Sequence, residues 1–379
     1  MASKMRTVLV AGRNAAATAV VDALATLPGV GCVRQLGELD VNQAARQLAG
    51  ADALVDMVGG VAPAFTTAMA AMGQGLSVIT ANPLLMASHG RVLQNAALGQ
   101  HVFFGFQAAG FGMPVQDVMT ALRPSKVTAS FTTAASMALA RMAFRNETAG
   151  TISAYLKFQQ VDLSDWGGKV TQARALALRS LWHDEELRGQ QLARVGVEAV
   201  EPADMRRLRE FGLQPVFGAE ITENGIYSGP MAVAPDSPLL GAVARDVLVA
   251  ETAQGEMVLT HSGDEMQRAI GGILADVRQF LRAPKPAMDK GVRDYGLRVR
   301  GPEAVRAYVR VPYAARELVL AAKPEIMLEK VDGDGLWQAV IGIESLSQLK
   351  IGAVGGMVYP LSGSWVAPAA GSGGLRLVG

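Results

Sequence analysis

The stretch Thr7–Leu24, TVLVAGRNAAATAVVDAL, is where a reading of the fold begins. Thr7–Ala11 has the Val-rich composition of a buried strand, Gly12 breaks the run, and Ala15–Leu24 has helical composition. Strand, tight glycine turn and helix in that order open a dinucleotide-binding domain. In such a domain one glycine permits the turn, a second lets backbone approach the pyrophosphate, and a third lets helix and strand pack closely. Here Gly12, Asn14 and Ala17 hold the three places. Ala17 adds only a methyl group, but Asn14 sets a side chain where phosphates would approach, and Arg13 on the same turn offers a phosphate an ion pair. Two readings stay open: a working nucleotide site, or a domain of the same shape that has lost its nucleotide.

Outward from this turn the alternation continues. Strands are expected at Gly31–Leu36, Ala53–Val58, Leu76–Thr80 and His101–Phe106, with helices at Asn42–Leu48, Pro63–Met72 and Leu84–Leu98 between them. Strands alternating with helices across short glycine-bearing turns describe a Rossmann-type, doubly wound parallel sheet of the α/β class. An NAD enzyme places a carboxylate about 20 residues after the glycine turn, and an NADP enzyme favours arginine nearby. Arg34 stands there, so NADP is expected over NAD, with a solvent-facing strand arginine as the plain alternative.

The pattern changes beyond residue 125. Longer helices (Gln172–Trp182, Asp184–Leu192 and Asp264–Phe280) mix with strands such as Met231–Ala234 and Val247–Ala250. The expected organisation is a dinucleotide-binding domain over 1–125, an α+β substrate and dimerisation domain over 126–282, and a small C-terminal unit over 283–379 after the linker-like Arg282–Pro286. The charged stretch Glu198–Glu210 reads as a solvated helix or linker.

Composition narrows the function classes. Of 379 residues, 35 are Lys or Arg and 34 Asp or Glu, so no charge excess points to nucleic acid or a membrane surface. The single cysteine, Cys32, reads as an inert core thiol, and no Cys/His cluster has metal-ligand spacing. No nucleophile elbow, Walker lysine loop or zinc-type His-Glu-x-x-His occurs. MASKMRTVLVAG runs into the first strand without an apolar leader core, and no segment reaches about 18 unbroken apolar residues. A cytoplasmic protein is the expectation.

With these elements in place, Asp52–Gly90 (DALVDMVGGVAPAFTTAMAAMGQGLSVITANPLLMASHG) resembles the homoserine dehydrogenase family. The shared features are Gly59-Gly60 after the third strand, the helix that follows, a strand ending Thr80-Ala81-Asn82, and the His-Gly downstream. Looser similarity continues in Phe111–Leu122, Gly229–Val243 and the helix from Asp264. The resemblance implies a homodimer that transfers hydride between NAD(P) and a small polar carbonyl or alcohol, with Gly12, Arg13, Asn14, Arg34, Gly59, Gly60, Thr80 and Asn82 at the cofactor. It also implies a helix carrying an Asp and, four residues later, a Lys. Asp165 and Lys169 keep that spacing, with Ser164 as the expected helix cap. Lys169 would then move the proton and Asp165 orient the substrate or the lysine; the plain alternative is a surface ion pair.

Several family features are replaced. Pro83 stands where the family has a lysine, Ser130–Leu139 (SFTTAASMAL) where it has Asn-Gly-Thr, and His261–Ala269 where it is glycine-rich. The substrate expected is therefore a small molecule other than homoserine. The alternatives are a relative that binds a nucleotide or metabolite without turnover, and an NADP-dependent imine reductase.

Overall fold

In the computed structural model, residues 5–37, 39–183, 187, 192–243, 245–262, 265–283, 305–343, 349, 351, 354–362 and 376–377 are described. The linker-like stretch after Ala283, most of Asp184–Leu192, and most of the Gly- and Ser-rich tail lie outside them. The chain forms two compact units. One comprises Met1–Pro124, Ala173–Glu185 and His261–Arg293; the other comprises Ser125–Gln172, Glu186–Thr260 and Asp294–Gly379.

The first unit runs β1 (Arg6–Ala11), α1 (Ala15–Ala25), β2 (Val30–Leu36), α2 (Ala44–Leu48), β3 (Ala53–Asp56), α3 (Val61–Gly73), β4 (Ser77–Thr80), α4 (Pro83–Gly99), β5 (Phe104–Gly105), α5 (Gln107–Gly110) and α6 (Gln116–Leu122). Its five strands are parallel in the order β2-β1-β3-β4-β5. Side chains alternate across a strand, so a sheet covered on both faces needs apolar residues at consecutive positions. On β1, Val8 and Val10 pack with Ala17, Val20 and Leu24 of α1, while Leu9 and Ala11 pack with Ala64 and Ala68 of α3 and Leu85 and Leu93 of α4. Each fully buried Val or Leu contributes about 1.5–3 kcal/mol. The expected doubly wound α/β sheet is therefore the one that forms. Cys32 departs from expectation: it is exposed, because β2 is the edge strand.

The second unit is built on β6 (Lys126–Ser130), α7 (Ala134–Arg145), α8 (Ala149–Phe158), the start of α9 (Lys169–Arg179), β7 (Leu192–Arg194), α10 (Pro202–Glu210), β8 (Gln214–Thr222), β9 (Ile226–Val233), β10 (Arg245–Thr252) and β11 (Gly255–Ser262). After α11 (Glu265–Arg282), which belongs to the first unit, come β12 (Val305–Pro312), α12 (Arg316–Leu320), β13 (Glu325–Val331), β14 (Leu336–Ile343), β15 (Met357–Ser362) and β16 (Arg376–Leu377). All eleven strands join one sheet, ordered β11-β10-β6-β8-β9-β15-β12-β14-β13-β16 with β7 beside β9. The late strands enter through β15, whose Leu361 lies parallel to Ala232 of β9. Tyr308, Val340 and Tyr359 share a core with Leu139, Leu156, Leu208 and Phe217.

The solvated helix expected at Glu198–Glu210 is a correction. Its helix α10 buries Asp204 completely and leaves Arg207 only 5% exposed. Asp204 accepts from Arg207 Nη1 at 3.3 Å, Arg310 Nη2 at 3.2 Å and Tyr359 Oη at 2.7 Å. Composition could not reveal this, because two of the partners of Asp204, Arg310 and Tyr359, lie more than 100 positions away. No helix among the described residues is long and apolar enough to cross a membrane.

Candidate nucleotide site

In an open α/β sheet ordered 2-1-3-4-5, ligands sit beyond the carboxyl ends of the strands, where the order reverses between β1 and β3. A cavity of about 360 Å³ lies at that point, lined by Gly12, Arg13, Asn14, Gly37, Met57, Val58 and Gly59. Its floor is built by backbone. The Gly12 amide donates to the Leu36 carbonyl at 2.8 Å, and the Met57 amide to the Ala11 carbonyl at 2.8 Å.

Gly12 has φ +139°, and a Cβ there would lie 2.7 Å from the Met57 carbonyl oxygen. Both facts require glycine: side chains rarely adopt that conformation, and the space is already filled. Asn14 lines the cavity with its side chain bonded to backbone. It is extended (φ −78°, ψ 167°) and caps α1, accepting from the Ala17 amide at 2.8 Å while its Nδ2 donates to the Met57 carbonyl at 3.1 Å. The substitution thus exchanges a bare glycine for a cap that ties the β1 turn to the β3 turn.

A second network holds the turn after β3, from which Met57, Val58 and Gly59 line the cavity. Asp56, the last residue of β3 and 2% exposed, accepts from the Val58 amide at 3.0 Å and from the Thr80 hydroxyl at 2.9 Å. Thr80 Oγ1 in turn accepts from the Asn82 amide at 3.1 Å. Asn82 caps α4 through the Leu85 amide at 3.0 Å, and its Nδ2 donates to the Gly60 carbonyl at 3.2 Å. Gly60 opens α3 with φ +82°. Burial pushes the Asp56 carboxyl up to about 6, partly countered by the bonds from Val58 and Thr80. Pro83 occupies the first turn of α4, where a missing N–H costs nothing.

Of the residues expected at the cofactor, Gly12, Arg13, Asn14 and Gly59 line the cavity, while Gly60, Thr80 and Asn82 brace it. Arg34 is not among the lining residues. Its Nη2 donates to the Ala49 carbonyl at 2.8 Å, whereas the next residue, Gln35, donates from Nε2 to the Gly12 carbonyl at 2.9 Å. Sequence reasoning missed Asp56 and Gly37. A carboxylate closing the apolar run Ala53–Asp56 was the available signal for the first; nothing local marked the second.

The expected Asp165–Lys169 pair on one helix face does not form, since α9 begins at Lys169 and Asp165 lies in the turn before it. Asp165 is 3% exposed, and its two carboxylate oxygens accept from the backbone amide and the hydroxyl of Thr171, in the first turn of α9. Lys169 is exposed. Ser164 is not the cap expected, because both its amide and its hydroxyl bond to Asp162. The two glycines explain the shift: Gly168, at φ +73°, breaks the helix that the spacing implied. In the stretch replacing Asn-Gly-Thr, Thr133 and Ser136 form a capping box on α7, and the Thr132 amide donates to Asp246 at 2.8 Å.

Among solved structures, the homoserine dehydrogenase of Thiobacillus denitrificans superposes with a TM-score of 0.74 at 17% identity, covering 95% of this chain and 98% of that one. The Staphylococcus aureus homoserine dehydrogenase superposes with a TM-score of 0.72 at 18% identity, covering 96% and 100%. The chain has the homoserine dehydrogenase fold. A hyperthermophilic archaeal homoserine dehydrogenase in complex with NADPH shares this fold over 74% of the present chain and 99% of its own, with a TM-score of 0.60 and 18% identity. No protein-family profile matches the chain, and no curated sequence does so either.

Proposed function

We propose that this protein is an NADP-dependent oxidoreductase that transfers hydride to or from a small polar carbonyl or alcohol other than homoserine. The observation that carries the reading is the cavity at the reversal point of the parallel sheet, with Gly12 kept glycine by both conformation and space. The nicotinamide supplies the hydride chemistry. The chain's part is to hold the dinucleotide with the turns at Gly12–Asn14 and Gly59–Gly60, and to keep those turns in place through Thr80 and Asn82. Lys169, exposed at the start of α9, moves the proton at the substrate oxygen. Asp165 acts through Thr171: it anchors the first turn of α9 and so positions Lys169. A homodimer working in the cytoplasm completes the proposal, by analogy with the family resembled.

A second reading, a nucleotide-binding relative without turnover, is favoured by Pro83 at the place of the family's lysine and by the engagement of both Asp165 oxygens with Thr171. The experiment that separates the two is a turnover screen of the full chain with NADPH and a panel of aldehydes, ketones and imines, with Lys169→Ala alongside. Turnover abolished by Lys169→Ala supports the oxidoreductase. Tight nucleotide binding with no turnover on any substrate supports the binding protein, and turnover confined to imines moves the reaction to the C=N bond.

A further inference from the structure

The cavity contains one feature that the nucleotide reading does not by itself require: a glycine at position 37 and an arginine lying on it. Gly37 follows the last residue of β2 and is absent from the glycines with positive φ, so the turn does not demand it. What glycine provides there is room. A Cβ on Gly37 would collide with Arg13 Nε and lie 2.7 Å from Cζ and 2.8 Å from Nη2. The Arg13 guanidinium is therefore seated on the Gly37 α-carbon, at the carboxyl end of β2, and both residues line the cavity. Arg13 is exposed.

Position decides which phosphate such a cation meets. The pyrophosphate of a dinucleotide lies at the start of the helix after β1, whereas the adenosine ribose lies across the end of β2, where a carboxylate takes a free 2′-hydroxyl and an arginine takes a 2′-phosphate. We infer that Arg13, seated on Gly37, selects adenine dinucleotides that carry a 2′-phosphate. This inference rests on the nucleotide-binding reading above and refines it. Arg34 is excluded from the role by strand alternation. Gln35 bonds the Gly12 carbonyl on the cavity side, so Arg34 is directed away and spends a guanidinium N–H on Ala49. A planar guanidinium lying along the chain offers paired N–H donors to phosphate oxygens, which a point charge does not.

The test is calorimetric titration of the full chain and of its Arg13→Ala, Arg13→Lys, Gly37→Val and Arg34→Ala variants with NADPH and with NADH. The wild type is expected to bind NADPH at least about tenfold more tightly than NADH. Arg13→Ala is expected to close that gap by weakening NADPH alone, with NADH changed less than about twofold, and Arg13→Lys to restore part of it. Gly37→Val, which removes the seat but keeps the arginine, should also weaken NADPH selectively, and Arg34→Ala should leave both affinities unchanged. Equal weakening of both nucleotides by Arg13→Ala would make Arg13 a pyrophosphate contact and overturn the inference. Closure of the gap by Arg34→Ala, or a wild type that binds NADH as tightly as NADPH, would overturn it as well. A wild type that binds neither nucleotide removes the underlying nucleotide reading instead.

Discussion

The buried Asp56 predicts a pH dependence that can be isolated by one substitution. Its carboxyl is pushed from 3.8 up to about 6, burial outweighing the bonds from Val58 and Thr80. A shift of about two units corresponds to about 3 kcal/mol, as an upper bound. The folded chain holds the Asp56 proton more tightly than the unfolded chain does. The stability this group contributes is thus fully present below about pH 4 and is lost as pH rises through about 6. Asparagine cannot ionise. The stability of Asp56→Asn relative to wild type should therefore increase with pH between about 4 and 7, by up to about 3 kcal/mol. At the acid end the two proteins should differ least, since protonated Asp56 and Asn each present one donor and one acceptor to the Val58 amide and the Thr80 hydroxyl. Urea unfolding of both proteins from pH 4.5 to 8, followed by tryptophan fluorescence, reads the difference directly. A difference that stays constant, or that falls as pH rises, would refute the reasoning.

Other consequences are equally open to measurement. Gly12→Ala places a methyl group against the Met57 carbonyl in a backbone region that side chains avoid; about 1–3 kcal/mol of stability and all nucleotide affinity should be lost, and an unaltered NADPH titration would contradict this. Asp204→Ala removes the buried carboxylate that Arg207 and Arg310 share, leaving Arg207 with Asp332 and Asp334, and should cost about 3 kcal/mol in denaturant unfolding; a loss below about 1 kcal/mol would mean that the network relaxes freely. Lys169→Ala removes an exposed side chain, so the melting temperature should hold while turnover falls at least about a hundredfold; retained turnover removes the proton role. Asp165→Asn should loosen the first turn of α9 by about 1 kcal/mol and raise KM along with lowering kcat, whereas a change in stability alone would make it purely structural.

The sheet was legible because burial on both faces leaves consecutive apolar residues, and Thr7–Ala11 and Ala53–Val55 display them plainly. The turn glycines were legible for the same local reason. The bonds of Asn14 could not be read from position alone: its side chain accepts from the Ala17 amide and donates to the Met57 carbonyl, contacts that a helix cap and a neighbouring strand supply. The bonds that Arg34 makes to Ala49 and Gln35 to Gly12 depend on how β2 sits beside its neighbours, which spacing along the chain does not reveal. Asp165 and Lys169 kept a helical interval in the sequence while the glycines between them started the helix late. Buried charges at Asp204 and Arg207 were invisible because their partners arrive from strands near the other end of the chain.

The most direct test of the account is a titration of the wild-type protein with NADPH and with NADH, read by energy transfer from tryptophan to the nicotinamide. Saturable binding in the micromolar range, tighter for NADPH and lost in Gly12→Ala, is the result predicted. No binding of either nucleotide at millimolar concentration would leave a dinucleotide-binding shape without its ligand, and would contradict the oxidoreductase reading.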